Sequence, residues 1–227
     1  PRLQLIREDI LKSGKMNSWE ADDYLQWYDA YDRFLKEKGF DKAFPTVDDL
    51  TRSMGNVSFY YQGRIIENIR ISNTVDAYAV NGWESMKLEN HSGIVDNYRF
   101  PKGDPEVMAR YNAPLYLAVK MNRKVVSTGD TTLVDTYIVN EKNLKGSYIL
   151  NLVAKDESGN VVASHKERVT VKGGNDYGQC LQSGWAFIPK SKGYTRIEAS
   201  LLKGKTELVK GDDLLFAVEL NTKGITT

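Results

Sequence analysis

The sequence changes period near residue 114, and that change limits the fold more than any other feature. Before it, apolar residues recur every three or four positions. After it, they alternate in short runs separated by turn residues. A chain built this way folds as helices first and a sheet structure second, not as one uniform layer.

The helical pattern is densest after Asn17 and Glu20, which stand three apart as in a capping box. Tyr24, Trp27, Tyr28, Tyr31, Phe34 and Leu35 follow at helical spacing, and Gly39 can supply a left-handed stop. Asp22, Asp23, Asp29, Arg33 and Lys36 form the solvated stripe opposite. Residues 2–12 predict a shorter helix with Leu3, Ile6, Ile10 and Leu11 on one side, and a third helix is expected from about 57 to 71. Val75 to Asn81 (VDAYAVN) predicts a buried strand, and Asp104-Pro105 an N-cap followed by proline at the first helical position.

The second half predicts seven strands: 115–121, 133–140, 148–155, 161–171, 179–188, 195–202 and 214–220. Turn chemistry falls between them at 127–130, 157–160, 173–176 and 210–213. This matches an immunoglobulin-like sandwich without the Cys…Trp…Cys signature of antibody domains.

Composition narrows the function classes. With 31 basic and 30 acidic residues, nothing in the bulk charge draws nucleic acid or an anionic membrane. No apolar run approaches the roughly 18 residues of a membrane span. Two histidines far apart and a single cysteine give no metal-ligand spacing and no disulfide framework, and Cys180 is expected to be a small buried hydrophobe.

The stretch 81–102 carries the richest chemistry, with Trp83, Glu84, Glu89, Asn90, His91, Asp96 and Arg99 after the expected strand. Carboxylates beside an aromatic ring can bind or cleave a sugar; the same residues also suit a surface loop whose Trp packs on its own scaffold. The pair Asp48-Asp49 can serve acid/base work or, more often, simply open a helix or sit in a turn. Asn56-Val57-Ser58 and Asn90-His91-Ser92 match the glycosylation acceptor pattern. Were the sandwich itself to bind carbohydrate, Tyr177, Trp185 and Tyr194 would be its platforms; a purely structural module is the remaining alternative.

Read in order, MGN (54–56), YYQGRIIENIR (60–70), VDAYAVNGW (75–83), SGIVD (92–96) and RFPK (99–102) resemble the end of the catalytic barrel in glycoside hydrolase family 2. That family is the β-galactosidase, β-glucuronidase and β-mannosidase group. TTLVDTYIVNEKNLKG (131–146) is similar to its following immunoglobulin-like domain, so the resemblance covers most of 47–220.

The implied fold is α+β and multidomain. Residues 1–113 would be a helix-rich remnant of a (β/α)8 barrel, with 1–46 lacking a family counterpart. Residues 114–227 would be an immunoglobulin-like antiparallel β-sandwich. The implied activity is retaining hydrolysis of β-glycosides by a larger parent, secreted or periplasmic, with carbohydrate and the upstream barrel of the same chain as partners. No cofactor and no metal are implied, and this portion alone is expected to be inactive. By the resemblance, Asn81, Trp83 and Glu84 contact sugar. Asp49 stands at the nucleophile position, one methylene shorter than the family's glutamate, and the acid/base glutamate belongs upstream.

Overall fold

The computed structural model describes residues 2–14, 18–84, 93–175 and 177–219. Four helices precede eight strands: α1 (Leu3–Ser13), α2 (Trp19–Glu37), α3 (Val47–Ile71), α4 (Pro105–Tyr111), β1 (Leu115–Met121), β2 (Val125–Ser127), β3 (Thr132–Asn140), β4 (Gly146–Lys155), β5 (Val161–Val171), β6 (Gly178–Phe187), β7 (Gly193–Lys203) and β8 (Thr206–Val218). By contacts the chain forms two bodies. One comprises Pro1–Ile66 and Ala77–Asn112, the other Glu67–Asp76 and Ala113–Thr227. Beside the boundary expected at 113/114, residues 67–76 thus group with the sheets.

In the helical body, Leu3, Ile6, Tyr24, Leu35 and Val47 form one buried cluster that joins α1, α2 and the start of α3. Ser18 caps α2 by accepting a hydrogen bond from the Ala21 amide at 3.1 Å, displacing the expected cap at Asn17, which lies outside the described residues. Gly39 takes the left-handed conformation (φ 70°) just past the helix, as expected. Trp27 and Phe34, counted on the apolar face from their spacing, are exposed instead. The α4 cap is as read, with Asp104 accepting from the Glu106 amide at 3.0 Å.

Helix α3 is longer than expected because it begins at Val47, not near 57. Gly55 reads as a break in sequence, yet it lies inside the helix: a Cβ there would collide with the Lys102 carbonyl. Gly63 faces the fully buried Tyr111 ring in the same way. Both glycines cost the helix intrinsic stability, and both are required by close approach.

The expected strand at 75–81 is absent. Residues 72–81 are exposed and join no ladder, because among the described residues no strand runs beside them.

In the sheet body, β1-β3-β6 forms one sheet and β2-β8-β7-β4-β5 the other. All pairings are antiparallel except β2 with β8. Leu117, Val119, Val134 and Ile138 from the first sheet share one core with Leu150, Leu152, Ile197, Leu201 and Leu215 from the second. The alternation that predicted β4 is obeyed, with Tyr148, Leu150, Leu152 and Ala154 buried. The turn expected at 210–213 is strand interior. The β7–β8 hairpin turns instead at Gly204 (φ 62°).

Gly63→Ala tests the close approach at α3. Propensity alone would give a gain of about 1 kcal/mol, whereas overpacking against Tyr111 is expected to cost about 1–3 kcal/mol. A denaturant midpoint that rises would show that the ring moves aside freely.

Candidate functional site

The helical body carries a cleft of about 200 Å³ lined by Arg2, Asp48, Asp49, Thr51, Arg52, Asp96, Pro101, Lys102, Gly103 and Pro105. Two local structures build it.

The first is the start of α3. Thr46 and Asp49 form a reciprocal capping box: the Asp49 amide donates to Thr46 Oγ1 at 3.1 Å, and Asp49 Oδ2 accepts from the Thr46 amide at 3.0 Å and its hydroxyl at 2.7 Å. Next to it, Asp48 Oδ1 accepts the Gln4 amide from the first turn of α1 at 3.1 Å. Carboxylates in these places also suit the positive end of a helix.

The second is the turn at 93–104. Asp96, almost wholly buried, accepts the Tyr98 and Phe100 amides on Oδ1, each at 3.0 Å. Its other oxygen lies 4.0 Å from Arg2 Nε, and the Arg2 guanidinium sits 3.9 Å over the Phe100 ring. Lys102 is buried, and its amide donates to the Ile94 carbonyl at 3.0 Å. Burial lowers its ammonium from the ordinary lysine value, while the Asp96 charge works in the opposite direction. Asn56 Oδ1 accepts the Asp104 amide at 2.7 Å, so the side chain of this glycosylation pattern is already engaged.

Of the residues singled out in the sequence, Asp49 lines the cleft, and its carboxylate closes the capping box. Asn81, Trp83 and Glu84 are not among the lining residues. Trp83 is 67% exposed, its carbonyl accepting the Ile94 and Val95 amides, while Glu84 pairs with Arg99 at 3.5 Å. Glu89, Asn90, His91 and Ser92 lie outside the described residues. The cations Arg2, Arg52 and Lys102 were missed as a group because they are spread over a hundred positions; only RFPK gave a local sign of them.

On the sheets, Trp185 is half-buried against the core and stacks on His165 (6.2 Å, 22°), whereas Tyr177 and Tyr194 are each 53% exposed. Trp185 belongs to the three-stranded sheet and Tyr194 to the five-stranded one, so these rings do not form one platform. Cys180 is exposed, not buried, while the next residue of β6, Leu181, packs against the core. Partial desolvation, followed by the Asp135 charge, still raises its thiol. Among the described residues no cluster of three or more His, Cys, Asp or Glu is placed to hold a metal, and no helix is long and apolar enough to cross a membrane.

No family model matches the chain, and no curated protein matches it. Solved structures share partial likeness. A glycosyl hydrolase family 2 member from Bacteroides cellulosilyticus is 19% identical with a TM-score of 0.36, covering 45% of this chain and 15% of its own. A β-glucuronidase from glycoside hydrolase family 2 is 14% identical at 0.35, covering 45% and 11%. A CARDB domain from Pyrococcus furiosus is 15% identical at 0.32, covering 47% and 94%. The chain thus spans about a seventh or less of those two glycosidases. At such TM-scores the likenesses carry no argument about activity.

Tyr98, within the 93–104 turn, gives a test of this body. Its hydroxyl donates to Asp9 Oδ2 at 2.5 Å; burial, and then the Asp9 carboxylate, pushes its pKa from 10.0 up to about 12. The unfolded phenol loses its proton first, so the stabilisation is complete below pH 10 and lost as the pH rises toward 12. Tyr98→Phe is expected to flatten the fall in stability over that interval, read by thermal melts at stepped alkaline pH. An unchanged slope would remove Tyr98 as its cause.

Proposed function

We propose that the chain is the C-terminal portion of a family-2-like glycoside hydrolase: the closing elements of the catalytic barrel followed by an immunoglobulin-like accessory sandwich. The whole enzyme would act on β-glycosides by a retaining mechanism, and this portion alone would be inactive.

One observation carries the reading. The segment that resembles the last barrel strand has strand composition, yet stands exposed: Val75, Tyr78, Val80 and Trp83 are 49%, 38%, 41% and 67% accessible. A second face agrees with it. On α3, Met54, Val57, Tyr61 and Ile65 fall on one helical stripe, each at least half exposed. A segment of strand composition and an apolar helix stripe left open to water call for a covering layer, and in a (β/α)8 barrel both are covered by neighbouring strands. The order of motifs from 54 to 102 supplies the family.

In this reading Asn81, Trp83 and Glu84 form part of the sugar subsite. The Trp83 ring would stack on the sugar face and Glu84, released from Arg99, would take hydroxyls. Asp49 holds the nucleophile position by motif order alone. Its capping box would have to open, and a partner acid about 5–5.5 Å away would have to come from upstream. A sugar platform on the sandwich is less well supported, since its three candidate rings are divided between sheets and Trp185 is packed inward.

The test compares this chain with a polypeptide extended upstream through the barrel, on nitrophenyl β-galactoside, β-glucuronide and β-mannoside. Turnover by the extended polypeptide only, with Trp83→Ala raising KM, is the expected result. No turnover on any of the three sinks the glycosidase reading. Equal rates for Asp49→Asn would remove Asp49 alone and leave the rest standing.

A further inference from the structure

We propose that the edge of the sandwich between β5 and β6 binds a small primary ammonium group through three oxygens, those of Thr136, Glu167 and Gln182. Strand register brings them together. Thr136 is 0% exposed and shares a face of β3 with the core residues Val134 and Ile138. Its cross-strand partner on β6 is Gln182, so both side chains enter the space between the sheets. From the other sheet, His165 and Glu167 stand opposite the core residues Leu152 and Leu150, and therefore face the same space. Two contacts between β5 and β6 bracket the spot. His165 stacks on Trp185 at 6.2 Å, while Gln179 donates to the Thr170 carbonyl at 2.7 Å and accepts the Lys172 amide at 2.9 Å. Counting inward from these contacts sets Glu167 opposite Gln182. A bulge aims β6 here: Ser183 and Gly184 (φ 74°) both stand against Asp135, whose Oδ1 holds them at 2.8 and 2.7 Å.

Unused acceptor capacity marks the spot. Thr136 Oγ1, Glu167 Oε1 and Gln182 Oε1 are buried, and among the described residues none has a hydrogen-bond partner. Glu167 Oε1 lies 3.5 Å from His165 Nε2, long for a hydrogen bond. Leaving buried acceptors unmatched costs stability. An ammonium group carries three N–H donors and no acceptor, so it matches these oxygens one to one, and the carboxylate answers its charge. An anionic ligand would meet repulsion instead. Depth suits a terminal group: Thr136 lies at the bottom, and the side chains of His165 and Glu167 are 38% and 36% exposed at the mouth. The site lies wholly in the sheet body and does not depend on the glycosidase reading.

The experiment is a titration of the full chain with methylammonium chloride, followed by amide chemical shifts. Potassium chloride and tetramethylammonium chloride, cations without N–H donors, are the references at matched ionic strength. Saturable shifts at residues 136, 165–167 and 182–185 are expected with methylammonium alone. Glu167→Gln, which removes the charge, should weaken binding about tenfold. Thr136→Val keeps the shape and removes one oxygen; it should weaken binding without lowering the melting temperature, because the lost hydroxyl had no partner. A lower melting temperature would show that hydroxyl already in use and overturn the proposal. Glucosamine, with glucose as its reference, separates the sources: tighter binding than methylammonium assigns the site to a sugar-borne amine, and equal binding to the amine alone. Shifts that do not saturate, that either reference cation reproduces, or that persist unchanged in Glu167→Gln overturn the proposal. Saturation by calcium chloride at lower concentration than methylammonium would give the three oxygens to a metal ion and overturn it too.

Discussion

The second body depends on a carboxylate that has no access to water. Glu67 is 0% exposed, accepts the Tyr116 hydroxyl at 2.8 Å and lies 3.4 Å from Lys120 Nζ. A buried carboxylate is tolerable only with partners of this kind. Here they come from β1, so the last turn of α3 is fixed to the sheet at one defined height. One helical turn on, Arg70 donates to the Ala113 carbonyl at 2.8 Å and meets Glu141 at 2.6 Å. The Asn73 side chain, at φ 55°, then exchanges two hydrogen bonds with the Gly178 backbone at the start of β6. Three polar links in seven residues explain why 67–76 group with the sheets although α3 is continuous in sequence.

In the helical body the corresponding element is Asp96. It folds the 93–104 turn around its own carboxylate. The turn then holds Lys102 against Gly55, and Gly103 and Asp104 against Asn56. Gly55 and Asn56, two letters of the MGN motif, are therefore explained by backbone docking without any ligand. The resemblance at 54–56 and the one at 99–102 describe two sides of a single contact.

How much could be read from the sequence varied with the reach of the interaction involved. The α2 stop, the α4 cap and most strands rest on neighbours within four residues, and their patterns predicted them. Several of the misreadings involve distant partners. Lys210-Gly211-Asp212-Asp213 has the chemistry of a turn, but Asp213 is buried against Lys124 at 2.6 Å and Asp212 is held by Arg196 at 2.6 Å. Gly211 is glycine because the Leu117 carbonyl lies against it. Only Asp213 is fully buried, Lys124 being 39% exposed, so removing Lys124 would leave a buried carboxylate short of its cation, and no local rule warns of it. The start of α3 was missed for a smaller reason: the helix was expected only from about 57, after Gly55, so Thr46 was not recognised as the partner of Asp49 in a capping box. The carboxylate pair was read both ways, and the geometry gives each acid a structural partner. For the candidate site, Asp49 was named and the three cations around it were not.

The two bodies also differ in how completely they cover themselves, and this bears on where function resides. The sheet body closes its core between two sheets and leaves its exposed apolar side chains scattered, as ordinary surfaces do. The helical body instead shows an apolar stripe on α3 and an exposed run of strand-like composition ending at Trp83. Its polar cleft, by contrast, is built from fully formed turns and caps. The open apolar surface and the hydrogen-bonded turns and caps therefore lie on different segments. A sugar subsite at Trp83 would draw on the open surface, whereas the cleft at the α3 start is shaped by carboxylates already held by backbone amides.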